Sequence, residues 1–147
     1  MTTHRDVTAL AVALLAAYLG QAAVQLEVPW LVALQADDVY KVASGAVLVV
    51  YLALQWTFAR HRRELHKLLG ALAPAVLYAH ASKFAYGYLT WLLAVYLGVI
   101  GVGLLHQPVI ARRAKTLFTW WFVTHLALAV LLAILVGYHV LIALAYE

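Results

Sequence analysis

The sequence predicts an all-α integral membrane protein with five transmembrane helices, and three observations lead to that prediction. Hydrophobic residues make up 67% of the 147-residue chain and charged residues only 11%, with a mean hydropathy of +0.92. Several apolar stretches reach the roughly 20 residues that an α-helix needs to cross a bilayer. Short basic clusters separate these stretches. A water-soluble domain of this length has too little interior for so much apolar surface, so residues 1–147 are predicted to form one transmembrane domain.

The apolar stretches, taken in chain order, predict helices at about 7–26, 39–59, 62–82, 85–105 and 116–146. The first stretch is too long for a cleaved signal peptide and has no evident cleavage site, so it is predicted to stay as a helix. Pro29 and Trp30 follow it and predict a short segment at the membrane surface. The loop HQPVIARRAK, residues 106–115, leads into the last helix, which holds no charged residue and can span a bilayer with residues to spare.

The basic residues predict the orientation of these helices. Five spans place eight of the ten Lys and Arg residues on one side: Arg5, Arg60, Arg62, Arg63, Lys67, Arg112, Arg113 and Lys115. The other side receives Lys41 and Lys83 together with four of the six acids. The positive-inside rule then puts the N-terminus in the cytoplasm and the C-terminus in the periplasm, across a bacterial-type inner membrane. The pI near 9.5 therefore reflects topology, and no nucleic-acid partner is predicted.

Two of the predicted helices carry histidine pairs with the same spacing. His66 and His80 lie on the third helix, His125 and His139 on the fifth, and each pair is fourteen residues apart. In an α-helix this spacing puts both rings on nearly one face, roughly 40° apart and about 21 Å along the axis. An ionisable side chain at membrane depth is costly and indicates function. The two helices run parallel, so His66 matches His125 in depth near the cytoplasm, and His80 matches His139 near the outer face.

Paired imidazoles at two matched depths predict two b-type haems, each held by two axial histidines. His66 and His125 would ligate the cytoplasmic-side iron, and His80 and His139 the outer iron, with about 20 Å between the irons from the helix rise. Two imidazoles leave no open coordination position, which favours electron transfer. The chain has no cysteine, so thiolate ligation and covalent c-type attachment are excluded. A quinone near one haem is a further expectation.

Several other residues are predicted to surround the haems. Gly70, one turn above His66, would leave room for a porphyrin, although ordinary packing of small residues between membrane helices explains it equally well. The predicted propionate partners are Lys67 and Arg113, with Arg63, on the cytoplasmic side, and Lys83, with Tyr86 and Tyr88, on the outer side. His61 and His106 are expected at the cytoplasmic boundary, and His61 is an alternative ligand to His66 if the third helix begins late.

The four-histidine layout resembles the ferric-reductase-like transmembrane domain family. The stretches RRELHKLLGALAPAVLYAH (62–80) and FTWWFVTHLALAVLLAILVGYH (118–139) look like its ligand helices. The family includes the membrane parts of ferric reductases and NADPH oxidases and the haem partner of bacterial methionine sulfoxide reductases. The resemblance implies haem ligation by His66, His80, His125 and His139. A similar spacing occurs in the cytochrome b of quinol-oxidising respiratory complexes. This chain departs from the family in that no flavin- or nicotinamide-binding domain follows the fifth helix, which predicts a separate redox partner subunit.

Together these features predict a diheme b-type cytochrome that passes electrons between a quinone or cytoplasmic-side donor and an outer-face redox partner. It is expected to be a non-catalytic subunit of an oxidoreductase complex, embedded in membrane lipid. One alternative is a proton-conducting or transport protein that uses the histidines as relays and binds no haem. That alternative requires a polar path between the histidines, whereas the intervening residues are almost wholly apolar. A second alternative is an assembly subunit whose histidines bond neighbouring helices.

Overall fold

A computed structural model of the chain describes residues 4–84 and 86–146, which form helices and no strands. The chain divides into two compact units, residues 1–84 and residues 85–147, and each unit is described by itself. The five long predicted helices are present, and each of their ends lies within three residues of its predicted position. The prediction of an all-α protein is therefore confirmed.

The first unit contains four helices: α1 (His4–Ala23), α2 (Pro29–Ala36), α3 (Asp38–His61) and α4 (Arg63–His80). The short helix α2 forms where a surface segment was predicted. It begins at Pro29 because a proline at the first helical position loses no intrahelical hydrogen bond. Asp37 then caps α3, since its carboxylate accepts a hydrogen bond from Tyr40 N at 2.8 Å. Arg62 alone separates α3 from α4, with a non-helical φ of −143°, so these two helices form a tight hairpin.

Helix α4 packs against both α1 and α3. Its Ala71, Ala73, Pro74 and Leu77 are buried, because small side chains let neighbouring helices approach closely. The helix is antiparallel to α3. It is parallel to α1, since Gln21 near the end of α1 donates a 2.7 Å hydrogen bond to the Ser82 carbonyl, just beyond α4. The ends of the first unit consequently differ in charge. One end holds its four arginines together with Asp6 and Glu64, and the other end holds Glu27, Asp37 and Asp38.

The second unit contains α5 (Tyr88–Leu104), α6 (His106–Ala111) and α7 (Lys115–Tyr146). Helices α5 and α7 are antiparallel, and the Trp121 indole N–H donates to the Val102 carbonyl at 2.7 Å. The six residues of α6 were predicted as loop. Pro108 does not prevent this helix, because it falls in the first turn, where a backbone N–H would have no intrahelical acceptor. Arg113, at φ +50°, lies in the turn between α6 and α7.

Four segments of the described chain are long and apolar enough to cross a membrane: Arg5–Ala23, Asp38–His61, Tyr88–Ala111 and Lys115–Ala145. Helix α3 contains no buried residue, and many large apolar side chains of the chain are exposed. Such surfaces suit a lipid environment. Helix α4 is different, because its first five residues include Arg63, Glu64 and Lys67.

Candidate functional site

His80 is held by a serine on the neighbouring helix. Its ring nitrogen Nδ1 lies 2.9 Å from the Ser44 hydroxyl oxygen. The same hydroxyl donates its hydrogen to the Lys41 carbonyl at 3.2 Å, within its own helix, so its oxygen is left to accept. Both contacts are satisfied together when Nδ1–H donates to Ser44 Oγ, and we assign His80 this tautomer, in which the lone pair of the neutral imidazole resides on Nε2.

His66 has the same tautomer for a simpler reason. Its Nδ1 lies 3.0 Å from the backbone carbonyl oxygen of Gln55, and a carbonyl can only accept a hydrogen bond. The Gln55 side-chain amide also lies beside His66. Its oxygen accepts a hydrogen bond from Gly70 N at 3.0 Å, and its nitrogen lies 3.2 Å from the His66 carbonyl oxygen and 3.1 Å from His66 Nδ1. Because Nδ1 donates its proton to the Gln55 carbonyl and cannot also accept, the amide nitrogen donates to the His66 carbonyl.

The two histidines of α4 thus share one arrangement, with Nδ1–H donated to an oxygen of α3 and the lone pair on Nε2. Histidines that ligate a metal almost always donate their other ring N–H to such an oxygen, which fixes the ring and raises its basicity. Helix α3 and α4 are also joined here by the Tyr51 hydroxyl, which donates to the Leu69 carbonyl. His66 and His80 therefore fit axial haem ligands in two respects, the tautomer of the imidazole and the hydrogen bond that holds its Nδ1.

In the second unit, His139 and His125 are supported by aromatic residues. The Nδ1 of His139 lies 3.1 Å from the Tyr88 hydroxyl oxygen at the start of α5, and Tyr88 packs edge-on against Tyr138. His125 lies against Trp121, with the two rings nearly parallel at an 11° angle and their centroids 5.8 Å apart. Trp121 is itself fixed by its bond to Val102, so the plane of the His125 ring is defined by packing.

Two glycines make room for histidine rings. A Cβ placed on Gly45 of α3 would lie 3.3 Å from His80 Cε1, and a Cβ on Gly103 of α5 would lie 3.4 Å from His125 Cε1. The first distance is shorter than ordinary van der Waals contact, and the second lies at its lower limit. A side chain at Gly45 would push the His80 imidazole away from its present place, whereas one at Gly103 would touch the His125 ring and leave it no spare room.

The other residues predicted to surround the haems, apart from the histidines, are engaged in ion pairs, in ordinary contacts or in the lining of a surface groove. Lys67 forms an ion pair with Glu64 at 3.2 Å, and Lys83 forms one with Glu27 at 2.7 Å. A Cβ on Gly70 would lie 3.9 Å from the Gln55 amide, an ordinary contact. Arg113 lines a surface groove at the start of α7. These lysines therefore already have carboxylate partners within the first unit.

The two boundary histidines lie at helix ends. His61 is the exposed last residue of α3. His106 begins α6, and its ring centroid is 5.0 Å from that of Trp121. Helix α4 begins at Arg63, so the late helix start that would have put His61 in place of His66 does not occur.

Sequence reasoning missed Ser44, Gly45, Gln55 and Gly103 as neighbours of the predicted ligands. A usable signal existed for the first of them. In a hairpin joined by one residue, positions equally distant from the junction face each other, and both Ser44 and His80 are eighteen residues from Arg62. Nothing comparable marks Gly103, because the longer connection of α5 to α7 through α6 does not fix their register.

Among the described residues, no three His, Cys, Asp or Glu side chains gather into a group that could hold a metal ion. A haem iron takes only two protein ligands when both are histidines, so this absence concerns other kinds of metal centre. Comparisons of the chain with protein-family models, with curated proteins and with solved structures found no significant match. Any functional conclusion therefore depends on the residues themselves.

Proposed function

We propose that this chain is a membrane electron-transfer protein that binds two b-type haems through His66, His80, His125 and His139. Each haem takes one histidine from α4 and one from α7, at the two depths set by the fourteen-residue spacings. A redox partner subunit, and a quinone as a donor or acceptor, complete the proposal.

The observation that carries this proposal is that Nδ1 of each α4 histidine lies against an oxygen of α3, at 3.0 Å for His66 and 2.9 Å for His80. With Nδ1–H donated to that oxygen, each imidazole has on Nε2 the lone pair that an iron ligand needs. A structural histidine can adopt either tautomer. Two histidines fourteen residues apart with the same tautomer, each supported from the same neighbouring helix, are what a diheme protein requires.

A haem with two imidazole ligands supplies one-electron transfer and has no vacant position for oxygen. The part played by the protein is to hold each imidazole rigidly, so that little reorganisation accompanies a change of charge. Ser44 and Gln55 do this by hydrogen bonding, while Trp121 does it by stacking on His125. The apolar residues between the histidines exclude water.

The same apolar residues argue against a proton relay. Between His125 and His139 the only residue with a polar side-chain atom is Tyr138, and Tyr138 is engaged in an aromatic contact with Tyr88. A relay needs a continuous series of groups that can pass a proton. Haem binding needs an apolar pocket, which this composition supplies.

The proposal also assigns five spans, with α4 as the third, in a bacterial-type inner membrane with the N-terminus cytoplasmic. Helix α4 has 18 residues, about 27 Å at the helical rise, close to the thickness of a bilayer core. Its charged residues lie at the arginine-rich end of the hairpin, where the positive-inside rule places the cytoplasm.

The first experiment is an absorption spectrum of the purified protein, oxidised and dithionite-reduced, with pyridine haemochrome quantification. We expect a b-type reduced α-band and about two haems per chain. Replacing any one of the four histidines by alanine should remove haem, whereas His61→Ala and His106→Ala, which remove equally ionisable residues at the boundary, should leave two. A colourless protein expressed with an adequate supply of haem would overturn the proposal.

A further inference from the structure

The turn between α6 and α7 carries cations that have no acidic partner among the described residues. Arg112, Arg113 and Lys115 lie within four residues of one another and are exposed. Lysines of the first unit behave differently, since Lys41, Lys67 and Lys83 each pair with a carboxylate. Within the described part of the chain, no side-chain ion pair involves the three cations of the turn.

The sequence explains this imbalance. The only acid in residues 85–147 is Glu147, which follows the far end of a 32-residue helix. That helix is about 48 Å long, several times the distance over which charges interact at physiological salt. The second unit thus contains three clustered positive charges that it cannot neutralise itself.

Two of these cations, Arg113 and Lys115, border a groove whose other walls are apolar. It has a volume of about 250 Å³ and is lined by Val109, Ile110, Arg113, Ala114, Lys115 and Phe118. Val109 is buried, whereas Ile110 and Phe118 are 49% and 42% exposed. The groove therefore offers positive charge at its rim and hydrocarbon-compatible surface beside it, at the end of the most apolar candidate span.

We propose that this groove binds an anionic phospholipid, with the phosphate between Arg113 and Lys115 and an acyl chain along Ile110 and Phe118. A soluble phosphate compound would use the cations and leave the exposed apolar walls uncovered. An acyl chain covers them, and the position of the groove at the start of α7 lies where lipid headgroups lie if α7 crosses the membrane. Basic pockets on the cytoplasmic side of membrane helices recognise headgroups in this way.

Native mass spectrometry of the detergent-purified protein, titrated with dioleoyl phosphatidylglycerol, tests this proposal. We expect one tightly held lipid per chain, and a loss of affinity of roughly fivefold for each cation removed in Arg113→Gln and Lys115→Gln. The matched control is Arg60→Gln with Arg62→Gln, which removes the same charge from the arginine-rich end of the first unit and should leave that lipid bound. Dioleoyl phosphatidylcholine, which has the same chains and no net charge, should bind weakly.

A second variant separates a lipid from a free phosphate. Phe118→Ala should weaken phosphatidylglycerol and leave the binding of inorganic phosphate, measured by calorimetry, unchanged and weak. Equal binding by wild type and the Arg113/Lys115 double variant would overturn the proposal, as would an equal loss in the control.

The haem content of the same samples identifies the main competing role. If Arg113→Gln loses haem while phosphatidylglycerol binding is unchanged, Arg113 serves a propionate and the lipid proposal fails. A colourless protein that still holds the lipid would instead contradict the proposed electron-transfer function and leave the lipid site standing.

Discussion

The histidines predicted to ligate haem differ from the exposed His61 in having hydrogen-bonding or aromatic groups beside their rings. Ser44 and the Gln55 carbonyl hold Nδ1 of His80 and His66, and Tyr88 lies at hydrogen-bond distance from Nδ1 of His139. An oxygen that accepts from Nδ1 makes the imidazole a stronger electron donor through Nε2. Under the proposed function, ligation through Nε2 requires the same tautomer of His139, with Nδ1–H donated to the Tyr88 oxygen. The Ser44 and Tyr88 hydroxyl groups should therefore influence both the affinity and the potential of the haem bound by His80 and His139.

Removing these hydroxyl groups gives the first prediction. Ser44→Ala and Tyr88→Phe should each weaken haem retention roughly 10- to 100-fold, the usual cost of losing such a partner. They should also raise the potential of one haem, because a less basic imidazole stabilises ferric iron less. Haem titration and a spectroscopic redox titration measure the two effects.

Conservative and distant replacements are the controls for that prediction. Ser44→Thr keeps the hydroxyl and should restore both properties. Thr57→Ala removes a hydroxyl that bonds only its own helix, and Tyr86→Phe alters a side chain that is 90% exposed. Neither should shift the potential. A potential that does not respond to Ser44→Ala would show that the contact only stabilises the fold.

A second prediction concerns the glycines that face the rings. Gly45→Ala should lower haem occupancy, because the added Cβ would stand 3.3 Å from the His80 imidazole. Gly103→Ala should lower it less, because its Cβ would stand 3.4 Å from the His125 imidazole, at the limit of ordinary contact. Alanine is the better helix former by about 1 kcal/mol, so the haem-free protein should lose no thermal stability. Gly20→Ala is the control, since no described atom lies within 4 Å of its Cβ. Full occupancy in Gly45→Ala would contradict the role assigned to the close approach.

At the scale of elements, α4 is the helix on which the fold of the first unit depends. It contacts both α1 and α3 and contains half of the buried residues described in that unit, more than any other helix. It is also the least apolar of the long helices, because its first turn is charged. Whether it crosses the membrane decides the side on which every later residue lies.

The third prediction tests that point in a chain without native cysteine. If α4 spans, Ala36→Cys and Tyr86→Cys should react with a membrane-impermeant thiol reagent from the periplasm. Ala59→Cys and Ala114→Cys should react only after permeabilisation. All four positions are exposed. If α4 does not span, the positions after it exchange sides, so that Ala114→Cys labels from outside and Tyr86→Cys does not, while Ala36→Cys and Ala59→Cys are unchanged.

At the scale of the whole molecule, the proposal pairs histidines from different helices, and the fourth prediction tests the pairing. His66→Ala and His125→Ala should remove the same haem, so the double variant should still hold one haem per chain. His66→Ala combined with His139→Ala should hold none, because each haem then lacks a ligand. Pyridine haemochrome quantification distinguishes these outcomes, with His61→Ala as a control that retains two. One haem in the second double variant would show that the ligands are paired otherwise.

The helices and their order could be predicted from the sequence because each is a local property. Apolar length identified five long helices to within three residues at each end, and Pro29 with Trp30 marked the segment that forms α2. The short helix α6 could not be predicted, because six residues containing Pro108 carry too weak a pattern. The division into two compact units was also not expected from a chain without an obvious linker.

The amino-acid sequence is sufficient to predict three things: that the protein is helical and suited to a membrane, at which positions its basic residues cluster, and which four histidines recur at a fixed spacing. Each of these is a local property, read from the apolar length of a segment, the positions of its charges or the spacing of residues along one helix. The tertiary structure alone decided that Ser44, Gln55, Tyr88 and Trp121 are the neighbours of those histidines, and that Gly45 and Gly103 make room for two of the rings. These contacts depend on how adjacent helices are rotated and aligned, and the spacing of residues within a single helix contains no information about that alignment.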